Sequence, residues 1–172
     1  APKATTARAS GSGWELNGEK IMVIGAASAD QLVVSADAGG PSLFVVDAKA
    51  PGVTISQYRT VDGQRAADVS FKDVKLGAEA LLGQAGKASE AIDEALDFAT
   101  ALLCADAVGT MKYANEATLE YLKTRKQFGV PIASFQVLQH RIVDMYIVTE
   151  QARSMAILAA ARADGAADAN ER

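Results

Sequence analysis

Tyr-Leu-Lys-Thr-Arg-Lys-Gln-Phe-Gly-Val-Pro-Ile-Ala-Ser-Phe-Gln, residues 121–136, separates two long alanine-rich runs of helical period. Gly129 and Pro131 both break helical geometry, so the stretch reads as a corner between two helices. Its chemistry is concentrated: Arg125, Lys126, Gln127 and Phe128 stand together, and Gln136 follows at the start of the next helix. An arginine beside a helix N-terminus suits a phosphate-bearing group. The plainer alternative is that Arg125 and Lys126 only complement the dipole at the first helix's C-terminus.

Working outward, the chain before the corner changes period once. From Lys87 to Arg125, Ile92, Leu96, Ala99, Leu103, Val108, Met111 and Ala114 recur at helical spacing, with Gly109 the one breaker. Such a helix would be ~58 Å long. After the corner, Ser134 is the expected N-cap of a second helix running to Asp164-Gly165. Its stripe is Leu138, Ile142, Met145, Thr149, Ala152, Ala156 and Ala159. So many alanines imply close interhelical approach in an antiparallel bundle.

Residues 1–76 read as short strands. Asn17-Gly18 is a hairpin signal between Trp14-Leu16 and Ile21–Ile24. Leu32–Ala36 and Leu43–Val46 flank a turn at Asp37–Pro41, and Val53–Tyr58 follows Pro51-Gly52. Ala67, Val69 and Phe71 alternate with Asp68, Ser70 and Lys72, the mark of a strand with one wet face. Five or six antiparallel strands suggest a small β-barrel or sandwich. The fold class is therefore α+β: a β-domain over 1–76, a linker over 77–86, and two helices over 87–172 that form half of a bundle.

Composition excludes several classes. Apolar residues make up 49% and charged residues 22%, ordinary for a globular chain. A net charge of −4 gives no electrostatic case for nucleic-acid binding. The single cysteine, Cys104, precludes an internal disulfide and fits a reducing compartment. No signal-peptide pattern and no apolar run of ~20 residues occurs, so a soluble cytoplasmic protein is expected.

The run Arg125-Lys-Gln-Phe-Gly-Val-Pro-Ile-Ala-Ser-Phe-Gln136 resembles the acyl-CoA dehydrogenase pattern R-x-x-F-G-x-x-I-x-x-x-Q. Gly13-Trp14-Glu15-Leu16-Asn17-Gly18-Glu19-Lys20 is similar to that family's G-x-x-W-x-L-N-G-x-K segment. Pro51-Gly52-Val53, the strand from Ala66 to Val74, and Leu81-Leu82-Gly83 fall at matching spacings. Within the family, Glu120 to Pro131 looks most like small subunits of pimeloyl-CoA-type dehydrogenases. The resemblance implies the middle β-domain and the first two helices of the C-terminal bundle, without the N-terminal helical domain and the last two bundle helices. It implies a homo- or hetero-tetramer acting on an acyl-CoA substrate.

The resemblance further implies FAD as cofactor. Arg125 would pair with pyrophosphate oxygens, Gln127 and Phe128 would line that contact, and Ile132, Gln136 and Leu138 would shape the adenosine pocket. At the flavin end the family's W-I-T is replaced by Met22, Val23 and Ile24. Ile24 can pack against a ring but cannot donate a hydrogen bond, so Met22 and Ile24 are either a flavin-facing wall or merely a buried strand. The implied reaction is α,β-dehydrogenation, in which a carboxylate takes the α-proton and hydride passes to the flavin. The catalytic residue itself is unknown: the glutamate is expected beyond Arg172. Ala99 stands where one branch carries it within the first helix, and Thr100 replaces an adjacent arginine.

Other polar residues read as structural. Asp97 is a solvated or capping group, and His140 has no second histidine or cysteine for a metal site. Gly11-Ser12-Gly13 precedes no helix and is no dinucleotide fingerprint. Glu15, Glu19, Asp62 and Asp68 read as solvated charges. Two function classes stay open: a catalytic FAD-dependent subunit, and a non-catalytic partner that contributes to FAD binding and assembly in a hetero-oligomer.

Overall fold

A computed structural model describes residues 4–165, and the chain divides into two compact units at Ala91/Ile92. The first unit holds strands β1 (Thr6–Ser10), β2 (Gly13–Ile24), β3 (Gln31–Asp37), β4 (Pro41–Asp47), β5 (Val53–Arg59), β6 (Arg65–Leu76) and β7 (Leu81–Leu82). They form one sheet in the order β5-β6-β2-β1-β3-β4-β7. All neighbours are antiparallel except β1 and β3, which meet in parallel at Thr6 and Asp37. The expected alternation in β6 is present: Ala67, Val69 and Phe71 are buried while Asp68 and Lys72 are exposed.

The sheet is strongly curled, and two aromatic residues show it. Trp14 on β2 and Phe44 on β4 lie three strands apart, roughly 14 Å in a flat sheet. Their ring centroids are 5.3 Å apart, edge to face. The inner face therefore closes on itself around Leu16, Phe44, Val46, Val69 and Val74, all nearly inaccessible to solvent. Residues 77–86, expected to link the two parts, contribute to this sheet. Leu81 and Leu82 pair with Phe44 and Leu43, and the Leu81 side chain extends the apolar core at the β4 edge.

Asn17-Gly18 makes no hairpin turn. β2 runs straight through it for 12 residues, and the chain reverses earlier, at Gly11-Ser12. The glycine is needed for a different reason. At φ +137° it lies against the backbone of Thr5, where a Cβ would come within 2.5 Å of Thr5 Cα. Asn17 instead pins a bulge in the β2–β6 ladder: its Oδ1 accepts the backbone N–H of Asp73, which sits at φ +50°.

The second unit is two helices, α1 (Ser89–Thr124) and α2 (Gln136–Gly165). At 36 residues α1 is about 54 Å long and passes through Gly109 unbroken. A lone glycine costs such a helix only ~1 kcal/mol. In α2 the least exposed side chains are the expected ones, Leu138 through Ala159 at alternating three- and four-residue steps. In α1 they are Ile92, Ala101, Val108, Met111, Asn115, Thr118 and Leu122, whereas Leu96, Ala99, Leu103 and Ala114 of the expected stripe are exposed. The seam differs from the expected stripe because α1 is apolar on more than one side and a polar residue, Asn115, lies within the seam. Asn115 Nδ2 in fact donates to Thr149 Oγ1 at 2.8 Å across the two helices. Nor is Ser134 the N-cap of α2. Its hydroxyl donates to the Pro131 carbonyl at 2.7 Å within a 3-10 turn, and the Phe135 carbonyl accepts the first helical N–H bonds.

Candidate functional site

The corner between α1 and α2 is a miniature hairpin. β8 (Lys126–Gln127) pairs with β9 (Val130–Pro131) across a two-residue turn in which both Phe128 (φ +54°) and Gly129 (φ +81°) are left-handed. Turns of this hand match the twist of paired strands, and glycine suits the second place without strain. Phe128 does not, since a bulky residue at positive φ is rare. It is nevertheless held there with its ring 91% exposed, touching Phe135 edge-on at 6.1 Å.

Arg125 is fixed by its backbone and open at its side chain. Its N–H donates to Tyr121 and its carbonyl accepts from Ile132 N–H, each at 2.8 Å. Its exposed guanidinium has no ion pair or hydrogen bond among the described residues, and the nearby Glu120 carboxylate is engaged by Lys123 at 2.8 Å. Gln127 is exposed beside it and Ile132 is half-buried. Gln136 and Leu138 lie in the first turn of α2, where the Leu138 N–H donates to the Phe135 carbonyl and the N–H groups of Gln136 and Val137 precede the first helical bond. Six of the expected residues thus stand at one corner, with a fork of donors, a helix N-terminus and an open aromatic face. That combination suits an anion attached to a flat ring.

Met22 and Ile24 belong to the β-unit. Both are exposed, so the buried-strand alternative is corrected: they form a surface. A second bulge between Lys20 and Val23 causes it, turning Ile21, Met22 and Ile24 outward. β1 flanks β2 only as far as Asn17, and beyond that the gap between β2 and β3 opens as a cleft of about 250 Å³. Lys20 crosses the gap to donate to Ser35 Oγ at 3.0 Å, and its burial pushes its ammonium below the usual lysine pKa.

Sequence reasoning missed the residue that holds this bulge. Asp68 Oδ1 accepts the N–H of Met22, which sits at φ +54°, at 3.0 Å, and the hydroxyl of Tyr58 at 2.9 Å. The bond to the carboxylate raises the Tyr58 hydroxyl above the ordinary tyrosine pKa. Asp68 occupies a wet-face position in an alternating strand, so no local signal distinguishes it from a solvated charge. Asp62 likewise has partners: Thr60 and Gln64 hydrogen-bond its carboxylate and hold it below the usual carboxylate range. Glu15 pairs with Lys75.

On α1, Ala99 is exposed and offers no acid-base group, and Thr100 donates its hydroxyl to the Leu96 carbonyl at 2.8 Å. Asp97 lies on an exposed face of the same helix, and His140 is exposed on α2. Among the described residues, no group of three or more His, Cys, Asp or Glu side chains could hold a metal ion. None of their helices is long and apolar enough to cross a membrane.

The two units match two domain families in order. Residues 1–74 match the acyl-CoA dehydrogenase middle domain, and residues 84–171 match the acyl-CoA dehydrogenase C-terminal domain. This chain belongs to the acyl-CoA dehydrogenase family. It is 36% identical over 166 residues to the probable acyl-CoA dehydrogenase YngJ of Bacillus subtilis, covering 91% of this chain and 44% of that one. It is 30% identical to the human mitochondrial short-chain specific acyl-CoA dehydrogenase, over 87% of this chain and 39% of that one. The solved butyryl-CoA dehydrogenase of Megasphaera elsdenii superposes with a TM-score of 0.86 at 28% identity, over 95% of this chain and 45% of that one. The chain spans less than half the length of these acyl-CoA dehydrogenases.

Proposed function

We propose that the protein to which this chain belongs is a flavin-dependent acyl-CoA dehydrogenase, and that the α1–α2 corner holds the pyrophosphate of FAD. The observation that carries the proposal is Arg125: a guanidinium on a backbone fixed from both sides, open to solvent and without an acidic partner. Its planar fork matches a pyrophosphate, with Gln127 and Phe128 beside it and Ile132, Gln136 and Leu138 toward the adenosine. FAD, when bound, supplies the hydride acceptor for α,β-dehydrogenation of an acyl-CoA thioester. The β-unit contributes apolar surface at Met22 and Ile24. Ile24 has no hydroxyl, and the Met22 N–H is already given to Asp68. Position 99, where one branch of the family carries the base, is alanine, so in this reading the α-proton goes to a carboxylate elsewhere in the protein.

A second reading is favoured by two positions. Ile24 has no donor, and the Thr100 hydroxyl is spent on its own helix. Together they support a partner subunit that contributes to FAD binding and assembly in a hetero-oligomer, as the likeness to pimeloyl-CoA-type small subunits suggests.

Arg125→Ala in the full-length protein tests the shared core of both readings. Losing a desolvated charge-assisted contact costs about 2–5 kcal/mol, ~30- to several-thousand-fold in FAD affinity. Arg125→Lys recovers only part of that, since lysine has no fork. If Arg125 serves only the helix dipole, the loss stays under about 1 kcal/mol and lysine substitutes freely. Flavin absorbance after gel filtration decides, with circular dichroism reporting the fold. A fully yellow Arg125→Ala protein overturns the site.

A further inference from the structure

We infer that Asp68 is a positioning residue: it locks the Met22 bulge and thereby sets the apolar wall of the β2–β3 cleft against which a flat ring lies. The inference rests on the flavin reading above and adds a residue to it.

Two bulges interrupt the β2–β6 ladder, and both are built the same way. In each, a residue at positive φ has its N–H taken by a side chain from the opposite strand: Asp73 by Asn17, Met22 by Asp68. The difference is what each bulge presents. The Asn17 bulge lies beside the Thr5–Gly18 backbone contact and turns no large apolar side chain outward. The Met22 bulge turns Ile21 (56% exposed) and Met22 (63%) outward together, with Val33 of β3 (66%) also open along the same cleft. Without the bulge, the period-two alternation of a strand would send one of Ile21 and Met22 inward. A methionine at φ +54° is strained, and such strain persists only where surrounding contacts over-determine it. Asp68 supplies that contact, and Tyr58 from β5 fixes the same carboxylate oxygen, so three strands are tied at one atom. An exposed acid whose carboxylate oxygen holds a backbone N–H and a hydroxyl thus serves geometry. Nothing in the packing of the core requires it, since Asp68 itself is on the solvent face.

The experiment uses the full-length protein and four forms of it: wild type, Asp68→Asn, Asp68→Ala and Tyr58→Phe. Amide hydrogen exchange at Met22, which needs no cofactor, reads the bulge, and titration of the cofactor-stripped protein with FAD, followed by the bound-flavin absorption spectrum, reads the wall. In Asp68→Ala, Met22 exchange accelerates at least about tenfold while Val69 stays protected. FAD affinity falls about tenfold and the bound-flavin spectrum shifts. Asparagine keeps the accepting oxygen and restores both readouts. Tyr58→Phe, which removes one exposed hydroxyl, moves both in the same direction by a smaller factor and covers the case in which the alanine variant does not fold. Unchanged Met22 exchange in Asp68→Ala overturns the inference, as does accelerated exchange with an unaltered flavin spectrum and affinity. Failure of wild type to take up FAD overturns the proposed function instead, and the exchange readout still reports on the bulge.

Discussion

Single residues in this chain carry geometry that their neighbours cannot. Gly18 is the clearest, with φ +137° and no room for a Cβ against Thr5. Gly18→Ala is expected to destabilise the β-unit by at least about 2 kcal/mol, combining backbone strain with displacement of Thr5. Urea unfolding followed by the single tryptophan, Trp14, measures it, and a change below about 0.5 kcal/mol would sink the close-approach argument. Lys20 gives a pH test. Its folded-state pKa is lowered by burial, so a penalty is fully present below that value and is relieved as pH rises toward the unfolded lysine value. Lys20→Met, with no titrating group, is therefore expected to gain melting temperature relative to wild type at neutral pH. That gain should shrink as pH approaches ~10. A difference independent of pH would show that Lys20 is charged in the fold without cost.

At the scale of elements, the sequence made strand and helix placement easy and geometry between elements hard. β3 and β5 stand within one residue of the runs expected for them, and β4 within two, because turn residues such as Asp37–Pro41 and Pro51-Gly52 mark where short apolar strands stop. Asn17-Gly18 deceived because the same dipeptide serves a turn and a bulge, and only the opposite strand decides which. Arg125 and Phe128 stand out in the sequence through the corner motif, while Asp68 does not, since its partners lie 46 and 10 residues away. The α1–α2 contact holds a related surprise: beside the buried alanines Ala101 and Ala156, a polar pair, Asn115 with buried Thr149, bonds across the two helices. Asn115→Ala is expected to cost about 1–2 kcal/mol in the helical unit, because Thr149 Oγ1 loses its donor in a buried seam. A thermal melt of the full-length protein followed by circular dichroism checks it. An unchanged transition would mean that the pair is incidental to register.

At the scale of the whole molecule, α1 has more apolar surface than α2 can cover. With about 100° per residue, Val108, Met111, Asn115 and Leu122 share one side. Leu96, Leu103 and Tyr121 lie about a quarter-turn away, and Phe98, Leu102 and Tyr113 lie on the opposite flank; all six are exposed. A helix apolar on every side is a buried helix. In the proposed reading, further bundle helices of the whole protein cover one flank. The other needs a further surface, and symmetric association of like subunits is the common source of one. The full-length protein is therefore expected to sediment as an oligomer, in this proposal a tetramer, and Leu102→Glu is expected to shift it toward smaller species by placing a charge in a desolvated interface. Sedimentation velocity across a hundredfold range of concentration separates the outcomes. A concentration-independent monomer would mean that a single chain covers all three faces of α1, and the case for association would fall with it.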